Sequence, residues 1–121
     1  MTFNAIYLEK DDNGVQNSIH ALDESALPKG DVRVGVEYST INYKDGLAIT
    51  GAGPVVRSYP MVPGIDFAGT VVSSESNRFV AGDRVILTGW AVGERYWGGY
   101  SQRQRVQADW LVKRPESMSS E

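Results

Sequence analysis

The sequence predicts an all-β barrel or sandwich. Three observations carry that expectation. The dominant hydrophobic period is two; the apolar runs are short, punctuated by 13 glycines and five prolines; and only one stretch, residues 42–50, looks briefly helical. With 121 residues, 41% apolar and 22% charged, the chain fits one globular domain spanning residues 1–121.

The elements follow in chain order. Phe3 to Leu8 is apolar and aromatic enough for a first strand. Asp11-Asp12-Asn13-Gly14 reads as a hairpin turn, because Asn-Gly tolerates positive φ, and Val15 to Leu22 is its partner strand. Leu27-Pro28-Lys29-Gly30-Asp31 is a second turn. Val32, Val34, Val36 and Tyr38 then alternate with Arg33, Gly35, Glu37 and Ser39, which makes a strand with one buried face. Asn42 to Thr50 is the short helix, stopped by Gly51. A strand begins near Asp66 and continues through Thr70-Val71-Val72. Ala81-Gly82-Asp83 turns into a short buried strand, Arg84 to Thr88. Tyr100, Gln102, Gln104 and Val106 share one face of the next strand, with Arg103 and Arg105 opposite. Trp110-Leu111-Val112 is the last strand. Pro115 to Glu121 reads as a polar linker of the kind that opens a helix, with the helix itself absent: either a disordered tail or the mark of a chain cut from something longer.

Composition excludes whole classes of chemistry. The formal charge of −3 argues against a nucleic-acid partner. The chain has no cysteine, so thiolate nucleophiles, Fe–S clusters and Cys-ligated zinc are ruled out, and His20 alone cannot build a histidine metal site. No run of about 18 apolar residues is present, and the N-terminal residues carry no basic-then-apolar leader, so no membrane association is expected and a cytoplasmic location is. No Gly-x-Gly-x-x-Gly opens a helix. Gly51-Ala52-Gly53-Pro54 lacks the third glycine, and no Walker-type lysine follows one.

Three clusters could carry function. Asn42-Tyr43-Lys44-Asp45 stands where the alternating strand leaves the sheet, a usual place for groups held by a rigid scaffold. The Tyr43 hydroxyl could donate a hydrogen bond or a proton there. The same residues could instead cap a helix, with Tyr43 as half-buried packing. In Pro63-Gly64-Ile65-Asp66-Phe67-Ala68-Gly69 the one charge, Asp66, needs a partner, functional or structural. Trp90, Tyr96, Trp97 and Tyr100 lie among Gly89, Gly93, Gly98 and Gly99, where flat side chains either wall a cleft or pack beneath the barrel mouth.

Taken together, these blocks resemble the N-terminal GroES-like catalytic domain of the medium-chain dehydrogenase/reductases. The Pro63–Gly69 block and Gly82-Asp83-Arg84-Val85 carry the superfamily likeness. Asn42-Tyr43-Lys44-Asp45-Gly46-Leu47-Ala48, Leu87-Thr88-Gly89-Trp90, Trp97-Gly98-Gly99-Tyr100 and Asp109-Trp110-Leu111-Val112 narrow it to the zinc-free acrylyl-CoA reductase and YhdH-type quinone oxidoreductase group. The resemblance implies a partly open GroES-like β-barrel with short helices, and an NADPH-dependent reductase of activated C=C bonds, with acryloyl-CoA giving propionyl-CoA. A quinone or 2-alkenal oxidoreductase, or a non-catalytic GroES-like binding module, is the alternative. It places Tyr43 as the catalytic residue against the nicotinamide, with Asn42 also binding the cofactor. Lys44, Asp45 and Trp90 would line the substrate cleft. It implies no zinc, since Ile65-Asp66 stands where zinc-dependent relatives carry His-Glu. It further implies a homodimeric parent with a Rossmann NADPH-binding domain that this chain lacks, so that the chain alone is inactive. Tyr43, Trp90 and Trp97 are expected on the rim of the surface facing that domain.

Overall fold

The computed structural model describes residues 2–121. Among them the fold is mainly β: seven strands, one eight-residue helix and two 3₁₀ turns. β1 (Thr2–Asp11) and β2 (Gly14–Asp23) form an antiparallel hairpin in which Asp11 pairs with Gly14. The positive φ at this turn falls on Gly14, at +104°. The remaining strands are β3 (Val32–Tyr38), β4 (Asp66–Ser74), β5 (Arg84–Thr88), β6 (Arg103–Val106) and β7 (Leu111–Lys113). They form one antiparallel sheet in the order β6-β3-β4-β5-β7.

That sheet must curl. Laid flat, its outer strands would stand about 19 Å apart. Only the segment from Val106 to Leu111 joins them, which spans about 17 Å when fully extended, and residues Ala108–Trp110 shorten it further by coiling into a 3₁₀ turn. The strands therefore close most of the way into a barrel around Val32, Val34, Phe67, Val71, Val85, Leu87 and Val106. The hairpin closes the side: Ala5 bridges Ser101, and Leu8 bridges Met61. Two smaller clusters, one on Phe3, Leu27 and Val62 and one on Leu8, Ala48 and Met61, pack the hairpin, and in the second case the helix, against the connecting segments around residues 55–62 and Trp97.

Three expectations need correction. Tyr38 does not continue the buried face of β3; the register shifts between Val36 and Tyr38, and the ring is 47% exposed. The strand expected from Tyr100 is ordered as β6 only from Arg103. Gln104 and Val106 are buried as the pattern requires, but Gln102 faces out. Trp110 closes the 3₁₀ turn and does not open β7. The polar segment 115–121, read as a linker, makes a turn closed by the Met118 amide on the Pro115 carbonyl (3.0 Å), and Arg114 Nη1 donates to Ser120 Oγ (3.1 Å).

Candidate functional site

The helix α1 (Tyr43–Thr50) starts where the chain leaves β3 and ends on Gly51, whose φ of +73° suits the left-handed stop. Its N-terminus is built unusually. Asn42 occupies the cap position with extended backbone, but its side chain caps no backbone amide. Asn42 Nδ2 instead donates to Thr40 Oγ1 (2.7 Å) and to Asp45 Oδ2 (3.1 Å).

A polar chain runs on from there. Thr40 Oγ1 donates to the Asp66 carboxylate (2.8 and 2.9 Å), and the Thr40 amide donates to Asp66 Oδ1 (3.2 Å). The Tyr100 hydroxyl lies 2.8 Å from the Thr40 carbonyl and 3.2 Å from Asp45 Oδ2, so its single proton serves one acceptor at a time. Burial pushes the Tyr100 phenol up to about 12; the Asp45 charge, its hydrogen bond to the hydroxyl and the Asp66 charge add to the effect. Asp66, the lone charge in its apolar block, thus finds its partner in Thr40.

Tyr43 follows this network directly and points away from it. Its ring is 84% exposed and, among the described residues, makes no hydrogen bond or ring contact. The half-buried packing role open at the sequence level does not occur. Lys44 is also outward and pairs with Glu94 at 3.3 Å, tying α1 to the loop after β5. Asp45 does not line a cleft as expected. It is 1% exposed, turned inward beneath the first turn, and its Oδ1 has no hydrogen-bond partner.

Trp90 stands on the loop after β5, 55% exposed. It stacks on Trp110, with centroids 6.2 Å apart, and Tyr96 leans on the same indole at 4.9 Å. Gly89, Trp90 and Ala91 all have left-handed φ, at +79°, +58° and +60°. Since Thr88 pairs with Asp66, and Asp66 holds Thr40, the roots of this loop and of α1 share one end of the sheet. Beside them a groove of about 380 Å³ runs between Thr40, Ile86 and the C-terminal residues. Ile41, 94% exposed, adds to the apolar surface next to Tyr43.

Trp97, expected on the same rim, is not there. Its indole packs inward, edge-on to Tyr7 at 5.8 Å, and donates to the Pro60 carbonyl (3.2 Å). Sequence reasoning missed Thr40 and Tyr100 as members of the site. Thr40 carried no signal at all, and Tyr100 was legible as a residue of an alternating strand and as one of the aromatics that could wall a cleft, but not as the partner of Asp45.

Comparisons with known proteins bear on the family and the fold. A sequence model described as "Alcohol dehydrogenase GroES-like domain" matches residues 28–116. The chain is 54% identical over 120 residues to an acrylyl-CoA reductase, AcuI, of Ruegeria pomeroyi, covering 98% of this chain and 36% of that protein. It is 56% identical to the yhdH oxidoreductase of Salmonella enterica, whose crystal structure is a complex with NADP. That match has a TM-score of 0.93 and covers 97% of this chain and 36% of the relative. The Bacillus subtilis protein yhfP, solved with NAD bound, matches at 44% identity and a TM-score of 0.94, again over 98% of this chain and 36% of the relative. The chain thus spans about 36% of the length of these relatives. A match over residues 28–116, on a curled antiparallel sheet with its short helix at the strand end, establishes that the chain belongs to the alcohol dehydrogenase GroES-like domain family.

Proposed function

We propose that residues 1–121 form the barrel domain of an NADPH-dependent reductase that converts acryloyl-CoA to propionyl-CoA. The observation that carries this reading is Tyr43: an exposed, unpartnered phenol at the sheet end, beside a polar network centred on the buried Asp45. The likeness to the Ruegeria acrylyl-CoA reductase along nearly the whole chain supplies the substrate class. The Salmonella complex supports NADP(H) as the cofactor.

The residues present fit one wall of a nicotinamide site and no more. Tyr43 offers a flat ring and a hydroxyl without an internal partner, and Asn42 sits at its base. Nothing among the described residues resembles a glycine-rich phosphate cradle, so the pyrophosphate falls to a Rossmann domain elsewhere in the parent polypeptide. When bound, NADPH supplies the hydride that reduces the β-carbon of the enoyl thioester. Tyr43 Oη holds a proton facing the same space, to orient the thioester or deliver that proton to the α-carbon. Trp90 and the aliphatic stem of Lys44 supply the substrate-side wall. Zinc takes no part, because the donor set is wrong for it: no cysteine exists, and His20 is stacked on Tyr7 at 4.6 Å in the hairpin. The parent enzyme is read as a cytoplasmic homodimer.

The test uses the full-length polypeptide with NADPH and acryloyl-CoA. It should consume one NADPH per propionyl-CoA formed. Tyr43→Phe should lower kcat by about 100-fold if the phenol delivers the proton. Turnover of quinones without turnover of acryloyl-CoA would transfer the reading to quinone reduction. A Tyr43→Phe enzyme with undiminished turnover and NADPH affinity would strike Tyr43 from the site.

A further inference from the structure

The side chain at the centre of the network touches nothing outside the fold. Asp45 is 1% exposed, yet it is two residues from a phenol that is 84% exposed. Its Oδ2 receives Asn42 Nδ2 at 3.1 Å and faces the Tyr100 hydroxyl at 3.2 Å. Tyr100 is itself fixed at its backbone, where its amide donates to the Pro63 carbonyl (3.0 Å) and its carbonyl accepts the Ile6 amide (2.9 Å). Asp45 therefore connects the first turn of α1, through Tyr100, to the Pro63-Gly64 turn and to the hairpin at once.

That connection matters because, beyond the half-exposed Lys44–Glu94 pair, α1 has little else to hold its start. An eight-residue helix is far below the length that is stable by itself. Its cap residue spends its amide on Thr40 and Asp45, leaving no side-chain cap on the helix backbone. A buried carboxylate is costly unless its hydrogen bonds are made, so the pairs to Asn42 and Tyr100 define one position for the turn.

We infer that Asp45 is the positioning residue of the site, a buried acceptor that clamps Asn42 and Tyr100 and thereby fixes where Tyr43 points. This rests on the reading of Tyr43 given above. A displacement of about 1 Å in a reacting group can cost on the order of 100-fold in rate. The expected signature falls on kcat, with KM for acryloyl-CoA held within about twofold.

The experiment is a double-mutant cycle in the full-length polypeptide, read by kcat, KM and NADPH affinity. Asp45→Ala should lower kcat by about tenfold or more. In a Tyr43→Phe background the same change should lower it no further, because its target is already gone. Asp45→Asn, which keeps one oxygen for Asn42 and Tyr100, should restore most of the turnover. If Asp45→Ala does not fold, Tyr100→Phe, which removes one of the two donors and little volume, carries the same cycle. Additive losses in the double variant would overturn the inference, as would full turnover in the single variant that folds. Full turnover in Tyr43→Phe would remove the underlying reading, and the inference with it. That outcome is told apart by the Tyr43 variant alone.

Discussion

Tyr100 makes the polar network sensitive to alkaline pH. Its phenol is raised from about 10 to about 12 in the folded chain, first by burial and then by Asp45 and Asp66. Between those two values the folded state still holds a proton that the unfolded state has lost. The stability associated with this group is therefore complete below pH 10 and declines as pH rises toward 12. The urea midpoint of the domain should fall over that interval, and it should fall less steeply in Tyr100→Phe. Parallel declines in the two proteins would show that Tyr100 contributes nothing to the slope. At this scale the sequence was only partly readable. Tyr43 could be picked out because a phenol stands where the apolar alternation stops. Asp45 and Lys44 look alike in a polar run, yet one lies under the helix and the other outside it. The difference is set by Asn42 and Tyr100, and the second of these is 55 positions away along the chain.

Elements were easier to read than side chains. The hairpin, β3, α1 with its Gly51 stop, β4 and β5 follow from period, turn residues and breakers that lie within a few positions of one another. The failures share a physical cause, which is that long-range pairing decides them. Tyr38 leaves the inner face because β3 slips register against β4, and the strand expected from Tyr100 is cut short because Ser101 bridges the hairpin at Ala5. The Pro63-Gly64 turn shows how tightly such contacts fit. Gly64 has a φ of +104°, and a Cβ there would lie 2.7 Å from the Tyr100 amide nitrogen and 2.8 Å from that of Gly99. Backbone crowding and an unfavourable dihedral act together, so Gly64→Ala should cost about 3 kcal/mol. A denaturant titration of that variant within 1 kcal/mol of the parent would contradict this account of the packing.

At the scale of the whole molecule, the chain builds a wall and not a vessel. The barrel core is continuous, whereas Ile41 and Tyr43 present apolar surface to the outside, as does the face of Trp90 that is not stacked on Trp110. A pocket that must hold a dinucleotide and a thioester needs a second wall and an anion cradle. The isolated 121-residue chain should therefore fold yet give no NADPH-dependent turnover of acryloyl-CoA. Rates equal to those of the full-length polypeptide would overturn the division of labour proposed above. The barrel class was legible because seven short strands leave seven local signatures.

The loop that carries Trp90 has one more consequence. Gly89 adopts its left-handed φ freely, but Trp90 and Ala91 do so at about 1–2 kcal/mol each. A domain of this size typically has only about 5–15 kcal/mol in hand. The indole is on display only while the strands behind it outweigh that twist, so a slackened interior would let the barrel's lip relax before its staves part.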